Sequence, residues 1–143
     1  MQRVLVATDG SEGADRALDA AVELAKGFGA DLILVNVEQG YPSENLERLR
    51  QSENASIDEI LYAASSEILK RAQAKATSLG VAKIRSHSGL GDAVGFILDI
   101  AKQENPDIIV VGKRGRGRLS ALLIGSVSQK LVSLAPCKIL VVP

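Results

Sequence analysis

Aromatic side chains are scarce: two Phe, two Tyr and no Trp make up 3% of 143 residues. That excludes a core built on rings and an aromatic-lined pocket, so burial must come from aliphatic residues and alanine, as in sheet-and-helix packing. Net charge is absent too, because 17 basic residues balance 17 acidic ones. No global field draws the chain to nucleic acid or to an anionic membrane, and any electrostatic effect is local. A single cysteine, Cys137, forbids an internal disulfide and agrees with a reducing compartment. No apolar run approaches the ~18 to 20 residues that span a bilayer, so no membrane partner is expected. Met1-Gln2-Arg3 leads directly into an apolar stretch with no room for a signal peptide, so a cytoplasmic location is expected. One histidine, His87, and no cluster of His, Cys or carboxylates at ligand spacing leave metal chemistry without a recognisable centre. The length suits one domain, 1–143, with a single core.

What is present is a regular alternation. Val4 to Ala7 is a short apolar run closed by Thr8-Asp9-Gly10-Ser11, which predicts a strand, a turn and a helix capped by Ser11. Apolar residues at 14, 17, 18, 21, 24, 25 and 28 mark one face of that helix, and Gly27 and Gly29 punctuate its end. Leu32 to Val37, interrupted only by Asn36, predicts a second strand, completing the unit of a parallel sheet. From Glu38 to Asn54 the chain is polar and aperiodic, which predicts a long surface loop. Ser56-x-x-Glu59 has the form of a capping box and predicts the start of the longest helix, with a stripe through 57, 60, 61, 64, 68, 69, 72, 76 and 79. Ala82, Ile84 and Ser86 alternate with Lys83, Arg85 and His87, the pattern of an edge strand, where His87 is a surface residue rather than a catalyst. Asp92 predicts a helix cap, with apolar residues at 94, 97, 98 and 101 and a stop before Asn105-Pro106. Ile108 to Val111 and Lys138 to Val142 are the remaining strands, and Cys137 at the entry to the last one reads as small core packing. Five strands alternating with four helices make an α/β fold, a single doubly wound parallel sheet with helices on both faces.

One stretch concentrates the chemistry. The fourth strand runs into Gly112-Lys113-Arg114-Gly115; nine residues later Gly125-Ser126 opens a helix over Val127 to Leu134. Glycine lets backbone approach an anion closely, and a helix N-terminus offers free N–H groups with the positive end of the dipole, so the arrangement suits phosphate. Lys113, Arg114, Arg116 and Arg118 add the one strongly charged spot in the chain. Taken singly, the glycines could be turn residues, but one glycine suffices for a turn. Arg116-Gly117-Arg118 is similar to basic glycine-rich segments that bind single-stranded nucleic acid, yet no aromatic is interleaved to stack on bases, which argues against a nucleic-acid partner. The P-loop and dinucleotide fingerprints are both absent.

A G-x-x-G, nine residues, then G-[ST] after a fourth strand resembles the nucleotide-binding signature of the universal stress protein family. The resemblance runs from Val4-Leu5-Val6-Ala7-Thr8-Asp9 to Ser126-Val127-Ser128-Gln129-Lys130 and Ala135-Pro136-Cys137. It implies strand order 3-2-1-4-5, which sets the ends of strands one and four side by side where open α/β sheets take ligands. It further implies a nucleotide site made of Ala7, Asp9, Val37, Gly112, Lys113, Arg114, Gly115, Gly125, Ser126 and Val127. Gly112 and Gly115 would approach the ribose and phosphates, while Ser126 and Val127 would hold the phosphate tail. Asp9, by spacing alone a turn or cap residue, would sit against the adenine and ribose end, and the Val37 backbone against the adenine edge. Lys113 and Arg114 depart from the family's usual small hydroxyl residue after the first glycine; Lys113 either contacts phosphate, the expectation adopted, or lies in solvent.

The implied ligand is ATP, with ADP or AMP as alternatives, carrying a Mg or Mn ion on its phosphates. Fast phosphoryl transfer needs a metal-holding carboxylate and a group that positions the nucleophile, and neither is visible near the glycine loop. A nucleotide-responsive regulator in stress adaptation is therefore expected, acting on a protein partner that the sequence does not identify. The alternatives are a slow ATPase on the same site and an interaction module that no longer binds nucleotide. In the implied order strands three and five are edges, but only strand three carries charge; Ile139 to Val142 is apolar throughout. The resemblance and this chemistry both point to a homodimer through strand 138–142.

Overall fold

In the computed structural model, which describes residues 1–39, 56–113 and 124–143, strands and helices follow one another in turn. They are β1 (Arg3–Ala7), α1 (Glu12–Phe28), β2 (Asp31–Glu38), α2 (Ser56–Ser78), β3 (Ile84–Leu90), α3 (Ala93–Glu104), β4 (Ile108–Gly112), α4 (Ser126–Leu134) and β5 (Lys138–Val142). The strands form one parallel sheet in the expected order, β3-β2-β1-β4-β5. Alternation then divides the core in two. Val4, Val6, Leu32, Leu34, Ile108 and Val110 face α1 and α2, where they meet Leu18, Ala21, Val22, Leu69 and Ala72. Leu5, Ile33, Val35, Ile109 and Val111 face the other way, onto Val94, Ile97, Ala101 and Leu131 of α3 and α4. Each fully buried Leu or Ile contributes about 1.5–3 kcal/mol. With no tryptophan and few rings, many aliphatics share the burial.

Helix ends follow local chemistry. Ser11 Oγ accepts the Ala14 N–H at 3.1 Å, and Gly29, at φ 63°, closes α1 in the left-handed conformation glycine favours. Asp92 caps α3 through the Gly95 N–H at 3.1 Å, and Asn105, at φ 52°, ends it before Pro106. The Asp107 carboxylate accepts the N–H groups of Gln2 (2.7 Å) and Arg3 (2.9 Å), tying the start of β1 to the start of β4. Those backbone bonds hold its carboxyl below the ordinary range.

Several sequence expectations need correction. The strand expected at 82–87 spans Ile84–Leu90, because Gly89 gives it a place to pack: a Cβ there would meet the Phe96 ring at 2.6 Å. Phe28 is exposed rather than part of the α1 stripe, whose buried set takes in Val22 instead. On α2 the buried line passes through Ile57, Ser65, Leu69, Ala72 and Ala76, while Ile60, Ala64 and Leu79 are exposed. Ser65 can occupy a core position because its hydroxyl pairs with that of Ser88 at 2.6 Å. Ser56 is the first helical residue of α2, and the position before it lies outside the described residues. Glu38 belongs to β2 and is buried, so the polar segment begins after it.

At the β3 edge, Arg85 bridges Asp31 and Glu104, both at 2.8 Å, and His87 Nε2 lies 3.5 Å from the same Glu104 carboxylate. His87 is thus half-buried in a charge cluster rather than free on the surface. The hydrogen bonds that Arg85 donates to Glu104 and then to Asp31 raise its pKa. Burial pushes Glu104 upward, but its hydrogen bond from Arg85 and the nearby positive charge outweigh this and hold it below its ordinary value.

Candidate nucleotide site at the strand-order reversal

β1 and β4 are neighbours, and the sheet continues from them in opposite directions, to β2 on one side and β5 on the other. Ligands of open α/β sheets bind at this reversal, outside the carboxyl ends of the strands. Asp9 and Gly112, expected to face one crevice, follow β1 and end β4 respectively.

The β4 end is fixed from three sides. A Cβ on Gly112 would lie 2.9 Å from both the carbonyl carbon and the oxygen of Gly13, so glycine here lets β4 press against the first turn of α1. The Gly112 carbonyl accepts the Ser128 hydroxyl at 2.6 Å, and the Lys113 N–H donates to the Val142 carbonyl at 2.7 Å. Lys113 O in turn accepts the Gly125 N–H at 2.7 Å. The two ends of the glycine loop are thereby clamped together beside β5. Arg114 and Gly115, with Arg116 and Arg118, lie outside the described residues.

Gly125 is the N-cap of α4, with φ −73° and no side-chain cap bond. That backbone conformation is open to any residue, so a left-handed turn does not account for glycine at this position. The consequence is a helix start with no side-chain cap and no acidic residue in its first turn. The opening N–H groups of a helix have no partner within it, and the macrodipole favours an anion beside them. Ser126 is exposed there, and Val127 is half-buried.

The β1 side is a hydrogen-bonded turn. Thr8 N–H donates to Val35 O at 2.9 Å, Gly10 N–H to Thr8 Oγ1 at 3.3 Å, and Ser11 N–H to Asp9 Oδ1 at 2.9 Å. Gly10 adopts φ +81°, the left-handed region glycine favours, and a Cβ there would meet Ile68 of α2 at van der Waals distance. Ala7 is half-buried, and the Val37 side chain is buried in the core on the α3 side. Lys113 is half-buried at the strand end.

Sequence reasoning missed Asn36 and Ser128, two buried polar residues that brace the reversal. Asn36 Nδ2 donates to Thr8 O at 2.7 Å. A polar residue inside an apolar run was the available signal for Asn36; Ser128 had none, since it looks like any helix serine. Cys137 packs half-buried against the α3 and α4 side of the core, and burial pushes its thiol up. A cleft of about 180 Å³ between α1 and α2 is lined by Thr8, Gly10, Ile68, Arg71 and Lys75. Ligand pockets typically run to ~300 Å³ or more, so this cleft is too small for a nucleotide. Among the described residues no three His, Cys, Asp or Glu side chains are grouped to hold a metal, and no helix is long and apolar enough to cross a membrane.

Comparison with known proteins agrees with this architecture. A family model described as the universal stress protein family matches residues 1–143. The chain is 37% identical over 145 residues to universal stress protein YxiE of Bacillus subtilis, covering 98% of this chain and 97% of that protein. Its fold is similar to that of universal stress protein UspA from Lactobacillus plantarum, with a TM-score of 0.81, 23% identity and coverage of 99% and 97%. A universal stress protein solved in complex with cAMP is also similar, with a TM-score of 0.75, 25% identity and the same coverage.

Proposed function

Since the chain belongs to the universal stress protein family, we propose that it binds an adenine nucleotide, with ATP as the main ligand, and acts as a nucleotide-responsive regulator in stress adaptation. The observation that carries this reading is the clamped loop: β4 and α4 are held at Lys113 and Gly125, and the α4 start offers N–H groups with no side-chain cap. Phosphate is the ligand such a start favours. The N–H groups of Ser126 and Val127, with the Ser126 hydroxyl, take the phosphate tail; Gly112 and Gly115 border the ribose and phosphates, and Lys113 and Arg114 add positive charge. Asp9 and Ala7 border the ribose and base, and the Val37 backbone meets the adenine edge. A Mg or Mn ion travels with the phosphates, held by their oxygens. The described ends of the loop, Gly112, Lys113, Gly125, Ser126 and Val127, supply no carboxylate to hold a metal for phosphoryl transfer, which favours a sensor over a fast enzyme. Nucleotide binding by the cAMP-complexed relative supports the ligand class.

The protein works as a cytoplasmic homodimer in this reading. Among the described residues β5 pairs only with β4, its outer edge is apolar from Ile139 to Val142, and α4, which packs beside it, exposes Val132 and Leu134. Pairing of β5 with its symmetry mate would cover that edge and stop at two copies. The test of the ligand is direct. Protein denatured as purified should release an adenine nucleotide that anion-exchange chromatography identifies, or, once stripped, should bind added ATP; failure of both rejects the proposal.

A further inference from the structure

Asn36 stands within an apolar strand, its side chain 1% exposed. Nδ2 donates to Thr8 O at 2.7 Å, while Oδ1 has no hydrogen-bond partner among the described residues. A buried amide left half-satisfied is costly, and an apolar residue would avoid that cost. The donor therefore has to do something that valine or leucine would not.

The register shows what that is. Along a parallel strand, alternate residues direct both backbone groups to the same neighbour. Val35 O accepts from Thr8 N–H on β1, whereas Glu38 O accepts from Gly91 N–H on the β3 side. By the same parity Val37 directs its N–H and C=O toward β1. The next rung of the β1–β2 ladder would be Val37 N–H to Thr8 O. It is not formed: pairing ends at Ala7↔Val35. The Thr8 carbonyl is instead drawn to the Asn36 amide, on the sheet face that Leu32 and Leu34 also occupy.

We infer that Asn36 is a positioning residue: by capturing the Thr8 carbonyl it ends the β1–β2 ladder one rung early and keeps the Val37 backbone N–H and C=O open to the edge of a nucleobase. Adenine suits that edge, with an amino donor beside a ring-nitrogen acceptor. The same bond fixes the Thr8–Asp9 peptide, so one side chain sets both the base edge and the turn that carries Asp9. The ligand half of this inference rests on the proposed adenine site; the ladder half does not.

Asn36→Val separates the two. In nucleotide-free protein, NMR-detected exchange of the Val37 amide should slow at least tenfold as the missing rung closes, and ATP should bind at least tenfold more weakly. A core defect alone would speed exchange along β2, so a Val37 amide that is unchanged or faster overturns the inference. Asn36→Asp keeps the shape but loses the donor while ionised. Its ATP affinity relative to wild type should recover as pH falls and the protonated carboxyl donates to Thr8 O; a ratio independent of pH counts against the inference. If wild type binds no ATP but the Val37 amide responds as described, the nucleotide reading fails and the role of Asn36 in the ladder stands.

Discussion

Gly112 and Gly125 belong to one motif, yet the structure gives them different reasons to be glycine, and alanine substitution exposes the difference. A Cβ on Gly112 meets the Gly13 backbone at 2.9 Å, and backbone cannot rotate away as a side chain can. Gly13 is buried and sits in the first turn of α1, so the substitution must push that turn off β4. Overpacking of this kind costs about 1–3 kcal/mol. For a domain near 150 residues, each kcal/mol shifts Tm by roughly 2–4 °C, so Gly112→Ala should melt ~2–12 °C below wild type. Gly125 is at φ −73° and is an N-cap, where glycine to alanine costs at most about 1 kcal/mol. The assay is thermal unfolding by circular dichroism on nucleotide-free protein. Gly112→Ala within 1 °C of wild type, or Gly125→Ala as destabilised as Gly112→Ala, would refute the assignment of Gly112 to the contact with α1.

Other outcomes follow from the same geometry. At ~100 times its Kd, ATP with Mg should stabilise the fold by about 2.7 kcal/mol. That corresponds to a Tm rise of roughly 5–11 °C by differential scanning fluorimetry, and a rise below 1 °C in stripped protein contradicts binding. Wild type should sediment at equilibrium as twice the 15.1 kDa chain, and Val141→Lys should shift it toward monomer; a wild-type monomer at micromolar concentration refutes the β5 interface. Glu104 is held below its ordinary pKa by Arg85, so the folded state takes up its proton less readily than the unfolded chain does. Its contribution is present above the usual carboxylate range, near pH ~4.3, and lost as pH falls through the depressed folded value. Glu104→Gln should flatten that part of the urea-stability curve below pH 5, and an unchanged slope would remove Glu104 from the account.

The fold was legible because each boundary carried its own chemistry: Ser11 and Asp92 as caps, Gly29 and Asn105-Pro106 as stops, and apolar strands covered on both faces. The losses came where tertiary contacts decide burial. Nothing local marks Ser65 as core or Ile60 as exposed; the distinction depends on the Ser88 hydroxyl across on β3. β3 seemed to stop at His87 because Ser88 and Gly89 are poor strand formers, and only the Phe96 ring explains Gly89. At the site, the motif located both ends of the loop, and the structure joined them through Lys113 and Gly125. It could not show that Gly112 also serves α1, or that Asn36 and Ser128 hold the two strand ends, since those roles depend on contacts between residues distant in the chain.

The central claim is that the loop between β4 and α4 binds the phosphates of an adenine nucleotide. Isothermal titration of stripped wild type and of Gly125→Val with ATP and Mg tests it most directly, with far-UV circular dichroism confirming equal helix content. Wild type should bind one ATP per chain and Gly125→Val should bind none, because the β-branched side chain fills the approach to the α4 N–H groups. No heat of binding from wild type, or equal affinity in the two proteins, would contradict it.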